Sequence, residues 1–539
     1  MNDKQDGTSQ GRIPFRLRIG VTGHRRLDNE DALVAPVRLA LARLRELLPS
    51  SAHTPVFFTV VSPLAEGADR LVAQEALKEP NTDLEVPLPQ PREEYLRDFE
   101  SDTSKREFAD LVTQAREVVE LGPFVSREDA YEGVGRYVVD RCDVLLALWD
   151  GQPSAGQGGT AEIVAYAEKN HVPLLWINTG GQHEIVELSV SRIGGRPYQE
   201  LDDYNRGRIA PRLSGEQSER EQRRLLAAAE QSAVQTPSLR AVLDWVLPYF
   251  TRADLAAQRY QTTYHVLGDA LFLLTALAVA IVAGQALFVP ERPQLVWFEV
   301  GLMLALLLIL GAGRRWRFHE RWISYRFLAE RFRSAFFLAL VGLGARREGS
   351  PEWVQLGHSS EEWLRRAFAE VWNSRPRVDM AESDVEGLKR FLAKAWIEDQ
   401  ARFHSSTSAK YQRRHVRLGY ITALLFVATF SVALLHAVGV GGDSSAKPLS
   451  WSNLLILLAI SMPALGAALS GIRAGREYLR NSERYGRMVH YLEDVGRRIS
   501  AATNFETIRQ CAAQAENLML EENRDWFLVM KFHDFELHV

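Results

Sequence analysis

Four long apolar runs in the second half of the chain limit the folds it can adopt more than any other feature. A helix needs about 20 predominantly apolar residues to cross a bilayer. The runs at residues 270–289, 295–313, 418–440 and 451–472 meet this length and hold few charged residues. The sequence therefore predicts an all-α membrane domain with four transmembrane helices. The alternative, four core helices of a soluble protein, is disfavoured because so many apolar runs are hard to cover.

Arginine-rich segments flank these runs on one side only. "RRWRFHER" follows the second run, "KYQRRHVR" precedes the third and "RAGREYLR" follows the fourth, whereas the loops at 290–294 and 441–450 hold one arginine and one lysine. Positive charge is retained in the cytoplasm. We therefore expect a multi-pass protein of the inner (cytoplasmic) membrane with both termini cytoplasmic.

The two pairs of runs also resemble each other. "RYQTTYH" precedes the first pair and "KYQRRHV" precedes the second, while "HERWISYRFLAER" and "SERYGRMVHYLED" follow them. This alignment sets Glu320 and Glu330 opposite Glu483 and Glu493. The pattern predicts a duplicated helix–hairpin–helix unit.

Two carboxylates at the ends of the apolar runs are candidate pore residues. Asp269 precedes the first run and Glu299 lies near one end of the second. Both fit boundary positions that reach water, and both fit a cation pathway, because charges inside membranes favour protein or water-filled interiors. Four helices hardly enclose an ion path, so a pore implies a homo-oligomer.

The first half of the chain has a different pattern. Residues 16–178 alternate short β-rich runs, such as "RLRIGVTGHR", "PVFFTVV", "LEVPLP", "CDVLLALWDG" and "VPLLWIN", with helical stretches that include residues 92–100, 104–119 and about 129–139. Such alternation predicts parallel strands joined by right-handed helical crossovers. The expected fold is an α/β Rossmann-like doubly wound parallel sheet.

Glycines, hydroxyls, arginines and carboxylates cluster at three predicted strand ends, where ligands of such sheets bind. A glycine-rich turn before a helix presents backbone N–H groups to a phosphate. The cluster suits a nucleotide, with Thr160 and amides for phosphate and Glu162 or Asp69 for ribose hydroxyls. The candidate ligand-binding residues are Thr22, Gly23, His24, Arg25, Glu66, Gly67, Ala68, Asp69, Arg70, Asp150, Gly151, Gly158, Gly159, Thr160 and Glu162.

Composition and charge bear on the kinds of ligand and site that the chain can have. The net charge of -4 gives no argument for nucleic-acid binding, and the two cysteines, Cys142 and Cys511, allow neither a disulfide framework nor a cysteine-based metal site. The polar start, "MNDKQDGTSQ", lacks a signal-peptide pattern. We expect no metal and no resident cofactor, but a nucleotide-derived ligand.

"GVTGHR", "SPLAEGADRLVA" and "CDVLLALWDG…GQGGTAEIVAYA" together resemble the SLOG group of Rossmann-like domains, which includes the DprA and Lonely Guy families. The resemblance implies that Gly158, Gly159 and Thr160 hold phosphate and that Glu162 faces the sugar. SLOG receptors in Thoeris antiphage effectors recognise cyclic ADP-ribose-like signals, and related domains of melastatin-type channels bind ADP-ribose. The turn here is longer than the Lonely Guy pattern, it retains one carboxylate, and the catalytic arginine loop of that family has no clear match.

The duplicated hairpin unit resembles the SLATT group of two-helix membrane modules, for which pore formation in bacterial conflict has been proposed. The resemblances imply a receptor–effector that binds an ADP-ribose-like or cyclic nucleotide and controls an oligomeric pore in antiphage defence. The alternative is a membrane-tethered nucleotide N-glycosidase of Lonely Guy type with Glu162 as the acidic catalyst; a third possibility is a scaffold with a vestigial pocket. The expected organisation is a disordered tail (1–14), a SLOG-like domain (15–180), a linker and helix (181–250), a first hairpin unit (251–335), a cytosolic helical segment (336–400) and a second hairpin unit (401–539).

Overall fold

The computed structural model of the chain describes residues 11–48, 51–153, 158–181, 183–234, 236–342, 362–376, 378, 385–440 and 450–531. The chain forms two compact units. The first comprises Met1–Arg208 with Gln355–Asn373, and the second comprises Ile209–Val354 with Ser374–Val539. The predicted linker and helix at 181–250 are therefore divided between the two units.

The first unit is built on a seven-stranded sheet in the order β4-β3-β2-β1-β5-β6-β7. All neighbours pair in parallel except β7, which is antiparallel to β6. This confirms the predicted Rossmann-like fold class. The strands are β1 (Phe15–Gly23), β2 (Val56–Val61), β3 (Thr82–Leu88), β4 (Glu117–Glu120), β5 (Val144–Trp149), β6 (Leu174–Asn178) and β7 (Ile185–Leu188).

Helices cover the sheet and bury its central strands. β5 is buried from Val144 to Leu148. Its continuous apolar sequence is typical of a parallel strand that is covered by helices on both faces of the sheet. The helices of this part of the chain are α1 (Glu30–Leu47), α2 (Ala68–Leu77), α3 (Arg92–Tyr95), α4 (Asp102–Gln114), α5 (Arg127–Arg141), α6 (Thr160–Lys169) and α7 (Gly195–Arg206).

Two strands differ from the sequence-based prediction. The helix predicted over 104–119 ends at Gln114, and β4 follows it, because the two adjacent valines of "EVVE" favour a strand and the flanking glutamates suit its position at the sheet edge. β7 lies in the segment predicted as a linker.

At the amino end, residues 1–10 of the predicted disordered tail lie outside the described residues. Ile13, in contrast, is fully buried, and its N–H donates to Asn205 Oδ1 of α7 at 3.0 Å.

The second unit is helical and confirms the predicted four membrane-length helices. Within the described residues, Pro237–Phe288, Val296–Trp316, Val385–Ala437 and Trp451–Ala501 are long and apolar enough to cross a membrane. The helices after α7 are α8 (Pro211–Ser232), α9 (Thr236–Phe288), α10 (Val296–Trp316), α11 (Phe318–Leu340), α12 (Glu362–Asn373, which belongs to the first unit), α13 (Val385–Phe391), α14 (Asp399–Ala437), α15 (Trp451–Gly475), α16 (Tyr478–Ala501) and α17 (Phe505–Lys531). A π-helical turn, Leu392–Glu398, joins α13 to α14.

The two hairpin units share their aromatic contacts. Tyr260 of α9 packs edge-on against Tyr325 of α11, with ring centroids 5.4 Å apart. In the second hairpin unit Tyr411 of α14 stacks on Tyr485 of α16, with ring centroids 5.8 Å apart. In each unit the helix that enters the hairpin is thus joined to the helix that leaves it through a tyrosine pair.

The shared geometry corrects the register of the internal repeat. Arg317 (φ 49°) and Glu477 (φ 44°) both take the left-handed conformation immediately before the helix that leaves each hairpin. Aligning these two residues sets Glu320 opposite Arg480, three residues away from Glu483. In this structural register the glutamates matched in the sequence therefore do not occupy equivalent positions.

Helix α12 is an insertion into the first unit from the segment that separates the two hairpins. Its apolar face, which includes Trp363 and Phe368, is buried. Arg16 of β1 makes a two-point contact with Glu370, with Nε–Oε2 at 2.6 Å and Nη2–Oε1 at 2.8 Å. Part of the segment predicted as cytosolic and helical (336–400) is therefore a component of the α/β unit.

Candidate functional site

A cavity of about 560 Å³ lies at the carboxyl ends of β1 and β5. The strand order reverses there, because β2 to β4 extend from one side of β1 and β5 to β7 from the other. Open α/β sheets bind their ligands at this switch point. The volume falls within the range of roughly 300–1,000 Å³ that is usual for small-molecule sites.

The end of β1 supplies one wall, and all four residues predicted there line the cavity: Thr22, Gly23, His24 and Arg25. Gly23 is needed for packing. A Cβ at this position would lie 2.4 Å from the Cβ of Ala68 and 2.7 Å from the carbonyl oxygen of Leu148. The glycine thus lets the start of α2 approach the end of β1 closely.

Two tyrosines missed by the sequence analysis line the same cavity. The guanidinium of Arg25 lies 4.5 Å from the ring centroid of Tyr131, and the Tyr131 hydroxyl donates to Asp98. Tyr95 is only 1% exposed, and burial raises the pKa of its hydroxyl. Both tyrosines come from helices, so a search of strand ends did not find them. An arginine stacked on a tyrosine gives the cavity a positive charge beside a flat aromatic surface.

Asp69, at the start of α2, is a buried carboxyl that faces the cavity. Asp69 is only 5% exposed, and its Oδ2 accepts a hydrogen bond from the Ala65 N–H at 3.2 Å. Burial raises the pKa of Asp69 to about 7, although that hydrogen bond and the charges of Arg25 and Arg70 act in the opposite direction. The carboxyl therefore changes its protonation near neutral pH.

The other residues predicted around Asp69 support the turn and do not line the cavity. Arg70 is 4% exposed and donates to the Leu64 carbonyl at 3.0 Å and to Ser104 Oγ at 2.7 Å. Glu66 accepts a hydrogen bond from the same serine. Gly67 has φ +76°, and a Cβ there would lie 2.6 Å from the His24 carbonyl oxygen, while the Ala68 N–H donates to that oxygen at 3.1 Å.

Gly158, Gly159 and Thr160, at the start of α6, line the cavity as predicted. The first turn of a helix leaves N–H groups without intrahelical acceptors and carries a partial positive charge. Glu162 does not line the cavity; its Oε2 accepts the Gly158 N–H at 2.8 Å. The glutamate therefore holds the turn in place. Gly156 and Gln157 lie outside the described residues.

Asp150, which follows β5, contacts His24 in the cavity wall. The two side chains are 3.0 Å apart, from Nε2 to Oδ1. A hydrogen bond from the Gln152 N–H at 3.0 Å lowers the pKa of Asp150, and His24 lowers it further. Gly151 does not line the cavity but has φ +82°, which turns the chain away from the strand.

The cavity therefore combines a helix N-terminus and an arginine with carboxylates and aromatic rings. The first two suit an anionic group such as phosphate, the carboxylates suit hydroxyl groups, and the rings suit a flat base. Among the residues that the structure describes, no three histidine, cysteine or carboxylate side chains come together as metal ligands.

The two candidate pore residues belong to the second unit and are not among the residues that line this cavity. Asp269 of α9 pairs with Arg476, which follows α15, at 2.5 Å from Oδ1 to Nη2. The same nitrogen donates to the His265 carbonyl at 2.6 Å. Asp269 thus joins the two hairpins. Glu299 is half-exposed in the first turn of α10.

No protein-family model matches the chain, and no curated protein matches its sequence.

Proposed function

We propose that the protein is a membrane receptor–effector. Its first unit binds an ADP-ribose-like or cyclic nucleotide in the cavity at β1 and β5, and ligand binding controls an oligomeric pore formed by the four membrane-length helices. The resemblance to SLOG and SLATT modules extends this proposal to antiphage defence, with the first unit and both termini on the cytoplasmic side. The single observation that carries the proposal is the cavity at the switch point, where Arg25, Thr160 and the start of α6 converge.

Helix α12 supports the coupling between binding and the membrane. It contacts the amino ends of the same two strands whose carboxyl ends form the cavity. Glu370 binds Arg16 near the start of β1, and Arg366 Nη2 lies 2.5 Å from Oδ1 of Asp143, the residue before β5. In the sequence, α12 lies between the two hairpin units, and the chain enters the second unit at Ser374. A ligand that shifts β1 against β5 would act on α12 and on the chain that joins it to the membrane helices.

Such coupling requires that the ligand bind one state of the protein more tightly than the other. The cavity meets this requirement if ligand contacts span both strands, because β1 supplies His24 and Arg25 whereas Asp150 and Thr160 follow β5. A nucleotide that bridges these groups would stabilise one relative position of the two strands.

The first test is thermal stabilisation of the full chain in detergent by ADP-ribose, its cyclic isomers and cyclic nucleotides. A ligand that binds the folded state raises the unfolding midpoint by mass action. Arg25→Gln should abolish the shift, since it removes the positive charge from the cavity. Arg26→Gln is the matched control. The Arg26 side chain is next to Arg25 in the sequence, but it is 90% exposed and does not line the cavity.

Chromatography of the same samples separates the receptor from the enzyme. A shift with intact ligand, followed by ligand-dependent ion flux in liposomes, supports the receptor–effector. Consumption of the ligand supports an N-glycosidase instead. If no nucleotide shifts the midpoint, the binding proposal fails.

A further inference from the structure

The second hairpin carries a basic face that the first hairpin lacks. Arg413, Arg417 and Tyr420 lie on one side of α14, at spacings of four and three residues that place them on the same helix face. Together with Gln412, Val416 and Ile421 they line a shallow surface cavity of about 450 Å³, which we call the α14 basic face.

Neither arginine of this face is neutralised by the chain itself. Arg413 and Arg417 are exposed and make no ion pair with a carboxylate among the described residues. Tyr420 is 74% exposed and Val416 is 42% exposed. The face therefore presents two uncompensated guanidinium groups beside aromatic and aliphatic surface.

The position of the face along the helix indicates what covers it. Arg417 immediately precedes the apolar run at 418–440, and no residue in the most apolar stretch of that run is fully buried within the chain. At a rise of about 1.5 Å per residue, Arg413 to Tyr420 extends over about 10 Å, which spans a headgroup layer of about 5–8 Å and reaches the edge of the hydrocarbon core. Tyrosine is also enriched at this level of the bilayer.

The internal repeat provides a built-in comparison. When Tyr260 is aligned with Tyr411, the positions of Arg413, Arg417 and Tyr420 correspond to Thr262, Val266 and Asp269 of the first hairpin. The first hairpin thus has no cation at these positions and has a carboxylate at the third. Membrane proximity alone does not account for the two arginines, because both hairpins meet the same headgroup layer.

We propose that the α14 basic face is a binding site for the phosphate of an anionic lipid headgroup, and that the second hairpin has this site whereas the first does not. Arg413 and Arg417 bind the phosphate as a pair of charged donors. Tyr420 lies at the glycerol level, Ile421 beside it contacts the start of the acyl chains, and Val416 adds aliphatic surface between the two arginines. These apolar contacts commit the site to a lipid and distinguish it from a site for free phosphate.

The test uses the full chain in a neutral detergent and titrates phosphatidylglycerol, phosphatidylcholine or inorganic phosphate while the unfolding midpoint is followed. We expect phosphatidylglycerol alone to raise the midpoint. In Arg413→Gln/Arg417→Gln the dissociation constant for phosphatidylglycerol should rise about 30-fold, from about 1 kcal/mol for each basic residue.

Two further variants make the result specific. Arg212→Gln/Arg223→Gln removes the same charge from exposed positions of α8 and should retain the wild-type response. Arg413→Lys/Arg417→Lys should restore most of the binding, which shows that the glutamine variant lost a site and not its fold. An equal response of the glutamine variant, an equal response to phosphatidylcholine, or an equal response to inorganic phosphate would overturn the proposal.

Discussion

Asp69 should make nucleotide binding depend on pH, because its carboxyl lines the cavity that receives the anionic ligand. The buried carboxyl has a pKa of about 7, raised from 3.8, so it is largely neutral at pH 6 and ionised at pH 8. Ionisation places a negative charge in the cavity that receives the anionic ligand. We predict that affinity for the stabilising nucleotide falls between pH 6 and pH 8, by at most about tenfold per pH unit.

Asp69→Asn tests the origin of this dependence, because it keeps the shape of the side chain and removes its titration. Isothermal titration of the variant should give an affinity that is nearly constant over the same interval. A wild-type affinity that does not change with pH, or a variant that keeps the full dependence, would show that another group is responsible.

Gly23 and Gly181 allow a paired test of whether α2 packs closely against the end of β1, because Gly23 lies at that contact whereas Gly181 is an open position. A methyl group at Gly23 meets Ala68 and backbone at Leu148, whereas nothing lies within 4 Å of a Cβ built on Gly181. Gly23→Ala should lower the free energy of unfolding by about 1–3 kcal/mol. Gly181→Ala should change it by no more than about 0.5 kcal/mol. Denaturant titration followed by tryptophan fluorescence measures both, and equal effects would contradict the packing argument.

At the scale of elements, the sequence predicts the sheet well because each central strand is a continuous apolar run followed by a turn. The candidate site follows from the same geometry: parallel strands bring their carboxyl ends together, so Thr22, Asp69, Asp150 and Thr160 could be grouped without a structure. Arg70 shows the limit. It belongs to the same turn as Asp69, but its side chain points into the protein, and the sequence does not encode that direction.

Other parts of the site depend on elements with weak local signals. β4 has only four residues, two valines between two glutamates, and the sequence analysis extended the preceding helix over it. Tyr131 lies in α5, which was predicted near residues 129–139, but the helical pattern does not show which side chains of that helix reach the cavity. Helix α12 is predictable as an amphipathic helix, but amphipathic spacing does not specify which surface it covers. Its docking on β1 depends on Arg16 and Glu370, which are 354 residues apart.

The attachment of α12 to the sheet should depend on Glu370 more than on Glu362. Glu370 reaches Arg16 of β1, whereas Glu362 pairs with Arg366 of its own helix. Hydrogen bonds between charged groups contribute about 1.5–3 kcal/mol, and an intrahelical pair contributes about 0.3–0.5 kcal/mol. We predict that Glu370→Gln accelerates amide hydrogen exchange of residues 362–373 by about tenfold or more.

Glu362→Gln should change this exchange by less than about threefold, consistent with the loss of an intrahelical pair. Mass spectrometry of the full chain measures both variants under identical conditions. If the two variants exchange at the same rate, the link between α12 and β1 does not depend on the Arg16–Glu370 contact.

At the scale of the whole molecule, the Asp269–Arg476 pair bears on how the membrane helices act together. The pair joins α9 of the first hairpin to the end of α15 of the second. A second contact joins the opposite ends of the same two helices, where Asn453 Nδ2 donates to the Leu287 carbonyl at 3.2 Å. A small-residue contact lies between them, where a Cβ on Gly471 would be 2.4 Å from the Phe272 ring. The two hairpins therefore form one bundle.

This arrangement yields a prediction that separates a structural Asp269 from a pore-lining one. Asp269→Asn and Arg476→Gln should each lower the unfolding midpoint in detergent, by the equivalent of about 1 kcal/mol, because the carboxylate is half-exposed and its attraction is partly screened. The exchange Asp269→Arg/Arg476→Asp should recover part of this loss. Glu299→Gln is the control and should leave the midpoint unchanged. A pore-lining Asp269 predicts the reverse pattern: in liposomes, Asp269→Asn would change cation selectivity at an unaltered midpoint, and the charge exchange would restore nothing.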